Sequence, residues 1–167
     1  MEERDRAVLA DFDALWARVQ PAHAEQRTRL HVPACPQTDD EQGLRHMIDQ
    51  TTAAALALRT LAKKLPCFSA RLRTLACARS AAAKELRGAY YLLTGRRHES
   101  GASCSVRHAP AACLRCIWQT SRAQSAWARK AAETTDEPLL QALYTKLAAL
   151  LDDQSEPLRC MLTELVG

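Results

Sequence analysis

The sequence predicts an all-α protein built on four long amphipathic helices, and three observations predict it. Alanine and leucine supply most of the 47% apolar content while aromatics reach only 5%, a balance that favours helices over sheets. Five glycines in 167 residues are too few for a turn-rich β fold. Apolar residues recur at steps of three and four through almost all of 40–165, the period of a buried helix face. The length suits a single folded domain with a real core. Residues 1–37 read as an N-terminal helix with an irregular connector, and 38–167 as the helical domain.

Residues 4–19 form the first amphipathic segment, with Val8, Phe12, Leu15, Trp16 and Val19 on one stripe and Pro21 as its stop. The connector 21–37 carries Pro21, Pro33 and Pro36 and no period, with Leu30 and Val32 as its packing residues. A long helix follows over 39–64. Thr38 and Glu41 have capping-box spacing, Pro66 ends the segment, and Leu44, Met47, Ile48, Thr51, Ala54, Ala55, Leu58 and Leu61 face inward. The next helix covers 71–95, with Ser69 as its cap and Gly95 as its C-terminal glycine. Its stripe is Leu72, Leu75, Ala82, Leu86, Ala89 and Leu93, and Arg79 interrupts that stripe.

Residues 96–110, RRHESGASCSVRHAP, are polar and broken and read as a crossover. The third long helix spans 111–133, with Leu114, Ile117, Thr120, Gln124, Trp127 and Ala131 inward. TTDEP at 134–138 is a turn, with Asp136 or Thr135 as the next cap. The last helix spans 137–165, with Leu140, Leu143, Leu147, Leu151, Gln154, Leu158, Met161 and Leu165 inward. Each helix is about 35–43 Å long at the standard rise.

Several stretches point to a family. AYYLLTG at 89–95 and AAETTDEPLLQALYTKLA at 131–148 are the most specific; LWARVQP at 15–21 adds to them, and the two halves of 40–165 repeat weakly. In these the chain resembles a ferritin-like di-iron protein of the rubrerythrin type. The resemblance implies a ferritin-like antiparallel four-helix bundle with a crossover connection. It also implies a metal pair held by one Glu from each of two helices and a Glu-x-x-His from each of the other two. Aligning the halves on Leu58 and Trp127 puts the lone-Glu positions at Thr51 and Thr120. Aligning them on Leu86 and Leu158 puts the paired positions at Arg79 and Ala82, then Leu151 and Gln154. None of the six is a carboxylate or a histidine, and a one-residue slip offers only Gln50, Gln119 or Asp152. The chain reads as a degenerate member without a working di-iron site.

What remains is a polar seam of Thr51, Arg79, Thr120, Gln124 and Gln154 on an apolar face. A guanidinium there needs partners, because a buried charge stripped of its partner costs about 3–5 kcal/mol. Three arrangements satisfy it. Arg79 turns to the edge and pairs with Asp152 or Asp153, or it sits in the core on Thr and Gln oxygens, or it holds an anionic ligand.

Seven cysteines, an odd number, read as free thiols of a reducing compartment. Cys113 and Cys116 form a C-x-x-C, and with Cys104 and His108 they could complete a zinc site. A second closely spaced pair is absent, so the alternatives are a redox pair at a helix start or one thiol inward and one outward. Cys77 and Cys160 read as buried small residues, Cys35 and Cys67 as loop residues beside prolines, and His23, His31 and His46 as surface groups. Arg87, Arg96, Arg97, His98, Arg107, His108 and Arg115 cluster at one end by sequence, but without the aromatics or motif of a nucleic-acid binder.

The N-terminus lacks the apolar run of a signal peptide, no stretch is long enough to cross a membrane, and the net charge is +4. The expectation is a cytoplasmic, non-enzymatic helical protein acting by interaction or assembly, with a second copy or another protein as partner and neither membrane nor nucleic acid. No cofactor is expected. The alternative is a metal-binding or redox protein, with iron chemistry of the rubrerythrin kind or zinc at the Cys104–Cys116 region.

Overall fold

The computed structural model describes residues 40–101 and 109–166. The N-terminal helix over 4–19, the connector, Thr38 and residues 102–108 of the crossover lie outside the described residues. Within them the chain is all-α, with helices α1 (Asp40–Lys64), α2 (Ser69–Thr94), α3 (Pro110–Thr134) and α4 (Pro138–Val166).

Local chemistry sets the helix ends. Leu65 leaves the helical region ahead of Pro66, as a residue before proline must, and a 3-10 turn over Pro66–Phe68 runs into α2. That turn corrects the expected cap: Ser69 is already helical, and its backbone N–H donates to the Pro66 carbonyl, so no side chain caps α2. Gly95 closes α2 at φ 67°, donating its N–H to the Tyr91 carbonyl at 2.8 Å. Prolines open α3 and α4, where a missing N–H costs nothing. The cap of α4 falls on Glu137, not on Asp136 or Thr135. Glu137 Oε1 accepts from the Leu139 N–H at 3.4 Å, while its own N–H donates to Thr135 Oγ1 at 3.3 Å.

The extensive contacts are α1 with α2 and α3 with α4, and thinner contacts join α1 to α3 and α2 to α4. Along the α1–α2 and α2–α4 contacts, bonded residue numbers fall on one helix as they rise on the other. Arg45 bonds Tyr90, Arg87 bonds Thr52 and Arg59 bonds Ser80. Between α2 and α4 the series is Arg71 with Glu164, Arg79 with Gln154 and Glu85 with Lys146.

The core has two apolar halves. One gathers Leu44, Met47, Ile48, Leu86, Tyr90, Ala128, Tyr144, Leu147 and Leu151 among others. The other gathers Leu58, Leu61, Phe68, Leu72, Leu114, Trp118, Leu158 and Met161 among others. On every helix the buried polar residues fall between the two: Thr51 on α1, Arg79 on α2, Ser121, Gln124 and Ser125 on α3, and Gln154 on α4.

The expected inner faces need corrections on every helix: Leu75 and Ala82 on α2 and Leu143 and Leu165 on α4 are only partly buried, Ala76, Ala83, Tyr144 and Leu162 taking the buried positions. On α3 the face runs Leu114, Ile117, Trp118, Ser121, Gln124, Ser125, Ala128 and Ala132, so Thr120, Trp127 and Ala131 are only partly buried. Steps of three and four both fit a 3.6-residue turn, and Trp127 drew the stripe to itself by size. Ala128 takes the buried position instead, and Trp127 packs at the edge, its ring edge-on to Tyr144 at 5.3 Å. On α2, Leu93 is exposed because it lies past Tyr90, where the core ends. On α1, Ala54 is half-buried.

Candidate functional site

The middle layer is built around Arg79. It is the largest fully buried side chain among the described residues, at 1% exposure. Its Nε donates to Gln154 Oε1 at 2.7 Å and its Nη2 donates to Ser121 Oγ at 2.6 Å. Both acceptors are held in turn. Gln154 Nε2 donates to the Leu75 carbonyl at 3.4 Å, which aims Oε1 at the guanidinium. Ser121 Oγ–H donates back to the Ile117 carbonyl, which leaves its lone pairs for Arg79. Small residues on α3 make the room: a serine opposite a long arginine lets the head group cross the core.

The bonded partners are neutral, so the cation has no carboxylate within hydrogen-bond reach among the described residues. Burial alone pushes the guanidinium down to about 10, and it remains charged at neutral pH. Of the arrangements the sequence allows for Arg79, two are distinguished by these bonds. The edge pairing is not the one adopted. Asp152 lies at the surface, bonded to Arg129 and accepting from Ser125 Oγ at 2.6 Å. Arg79 sits in the core on a Gln and a Ser oxygen.

The six positions at which the resemblance would place ligands divide. Thr51, Arg79, Leu151 and Gln154 are buried, whereas Ala82 and Thr120 are only half-buried. Thr120 therefore leaves the seam, and Ser121 and Ser125 join it. The signal that could have found them is a serine pair four apart on the stripe of Leu114 and Trp118. Gln124 Nε2 donates to Gln50 Oε1 at 3.1 Å, and Thr51 Oγ1 and Gln124 Oε1 are buried with no partner among the described residues. The donor set does not fit a metal pair. It offers hydroxyl and amide groups with no anionic oxygen, and a guanidinium in the layer would repel both cations.

The sulfur groups are scattered. Cys113 and Cys116 are half-buried near the start of α3, while Cys104 and His108 lie outside the described residues. Among the described residues no group of three or more His, Cys, Asp or Glu could hold a metal. Cys77 and Cys160 are exposed, contrary to expectation, because their flanking apolar residues turn inward and leave them outside. A hydrogen bond to Glu156 pushes the Cys160 thiol up, which makes it a poor nucleophile. Cys67 is exposed beside Pro66.

The basic cluster is split. Arg87 donates to Thr52 at 2.8 Å, and His98 Nε2 lies 2.9 Å from Asp49 Oδ1 with its ring edge-on to Tyr90. Arg96 and Arg97 are exposed at that end. Arg115 belongs to the opposite end, since its neighbour Leu114 packs with Phe68 and Leu72. Arg107 and His108 lie outside the described residues. One network was invisible in the sequence. Tyr90 OH donates to Glu41 Oε1 at 3.1 Å and accepts from Arg45 Nε at 2.8 Å, tying the start of α1 to the end of α2.

No helix among the described residues is long and apolar enough to cross a membrane. Compared with protein-family models, with curated proteins and with solved structures, the chain matches none of them.

Proposed function

We propose that this chain is a ferritin-like antiparallel four-helix bundle in which a protein-borne cation stands where relatives by resemblance hold metal, and that it works by interaction or assembly. The observation that carries this reading is Arg79, buried at mid-height between two apolar halves and bonded to Gln154 and Ser121. Position 154 is itself one of the family's ligand positions, so two former ligand sites now bond each other. The bond series along α1–α2 and α2–α4 supports the antiparallel arrangement, and the broken segment after Gly95 supports the crossover. The polar groups at the centre are spent on holding helices together.

A second reading keeps thiol chemistry. Cys113 and Cys116 lie within one turn of each other near the start of α3, where a helix N-terminus favours thiolates. Elemental analysis of the purified chain separates the readings. Neither metal at stoichiometric level is the expected result. Iron near two per chain would restore the family activity, and zinc near one would assign the cysteines.

A further inference from the structure

A cleft of about 180 Å³ opens between α1 and α2, and its polar lining is cationic. The first helix contributes Thr52 and Arg59, the second Ser80, Lys84 and Arg87. Each arginine is held by a hydroxyl of the other helix. Arg59 Nη2 donates to Ser80 Oγ at 2.9 Å, and Arg87 Nη2 donates to Thr52 Oγ1 at 2.8 Å. Thr52 spends its own proton on the Ile48 carbonyl at 2.7 Å, which leaves its lone pairs for Arg87. On each helix the arginine lies two turns from the hydroxyl, about 10 Å, so the two tethers close opposite ends of the cleft. Lys84 falls between them, and the buried Ala55 and Ala83 are small enough to leave the space open.

We propose that this cleft binds a diphosphate group. Charge selects an anion. From Gln50 to Lys84 the sequence has no Asp or Glu. The acidic residues that flank this stretch are engaged elsewhere, Asp49 with His98 and Glu85 with Lys146. Among the described residues no carboxylate bonds Arg59, Lys84 or Arg87. Geometry then selects phosphate over a simple halide. Each guanidinium uses part of its donor fork on its tether and keeps the rest, in a plane that suits phosphate oxygens. Ser80 Oγ accepts from Arg59 and donates to no group among the described residues, so its proton is available to a ligand. Guanidinium groups from opposite ends, with an ammonium between them, match an anion charged at both ends. A diphosphate has that form and a single phosphate does not. No aromatic side chain lines the cleft, so it has no platform for a base and reads the phosphates alone. The proposal is independent of what occupies the middle layer.

Calorimetric titration of the full chain with inorganic diphosphate tests it, in a phosphate-free buffer of low ionic strength. Arg59→Gln with Arg87→Gln removes both ends of the site. Arg71→Gln with Arg159→Gln removes the same charge at arginines that pair with Glu164 and Glu156 instead. The expected result is one diphosphate per chain, bound at least fivefold more tightly than inorganic phosphate. The cleft variant should weaken it at least tenfold and the other variant less than twofold. Adenosine diphosphate, titrated in parallel, distinguishes a free anion from one carried on a larger molecule. Saturable binding of either at one per chain, lost in the cleft variant, supports the site. No saturable binding of either, phosphate bound as tightly as diphosphate, or equal weakening by the two variants overturns the proposal. Helical circular dichroism checks that the cleft variant folds. If it does not, Lys84→Gln decides, since Lys84 is exposed. That variant should weaken binding at least threefold, and an unchanged affinity overturns the proposal.

Discussion

Arg79 and Gln154 face each other across the centre of the four helices, Nε to Oε1 at 2.7 Å, with both side chains buried. A charged donor meets a neutral acceptor there, so the bond is strong while the charge stays uncompensated. Its removal should therefore behave unlike the breaking of a buried ion pair.

Arg79→Met replaces the guanidinium with an apolar chain of similar length. It relieves the desolvation of the charge but leaves Gln154 Oε1 without its donor, a loss of about 1–3 kcal/mol. The two effects oppose, and urea unfolding should place the variant within about 1 kcal/mol of the unaltered chain or above it. Adding Gln154→Leu removes the orphaned amide and should raise stability over the single variant by about 1–3 kcal/mol. A loss beyond about 3 kcal/mol in the single variant would mean the guanidinium contributes far more than these bonds explain.

Arg79→Glu should lose about 3–5 kcal/mol, because a buried carboxylate would face the oxygen of Gln154 with no counter-charge. An unchanged urea midpoint would place the side chain in solvent.

The pH dependence has a defined sign. Burial pushes the Arg79 guanidinium down to about 10, below its value in the unfolded chain. At neutral pH both states are protonated and the folded state bears the full cost of the buried charge. Above about pH 10 the native protein sheds a proton that the unfolded chain retains, so this group's contribution to stability rises with pH. Arg79→Met lacks it. The stability difference between the two should shift toward the unaltered chain by about 1 kcal/mol at pH 11. A difference that is flat from pH 7 to 11 would mean that the buried guanidinium keeps its proton throughout that range.

Much of this arrangement was legible in the sequence, and the misses have physical causes. The limits at Pro66 and Gly95 followed from backbone constraints that are local, whereas the cap of the last helix fell on Glu137, beyond the Asp136 or Thr135 expected. That Arg79 lies on the inward face followed from its distance to Leu72 and Leu86. Its partner did not, because a surface carboxylate and a buried amide were both within reach by spacing. Ser121 was missed for a related reason. A step of three or four from Ile117 gives Thr120 or Ser121, and only packing against α2 and α4 decides between them. The end-to-end separation of Arg115 from Arg87 is a tertiary fact with no local trace.

Core substitutions test the corrected faces. Leu86→Ala and Leu147→Ala, both fully buried, should each cost about 2–5 kcal/mol. Leu93→Ala, on the same sequence stripe but 42% exposed, should cost less than about 0.5 kcal/mol. Equal losses at Leu86 and Leu93 would show that α2 is rotated from the orientation described.

Ferrous loading is the most direct test of a cation in place of a metal pair. The full chain is titrated anaerobically with ferrous iron, exposed to oxygen and followed by the absorbance of an oxo-bridged product, then desalted and assayed for iron. The expected result is an absorbance trace no different from a protein blank and no retained iron, in the unaltered chain and in Arg79→Met alike, since Thr51, Leu151 and Gln154 supply no anionic oxygen. An oxo-bridged band with two irons retained per chain would contradict it.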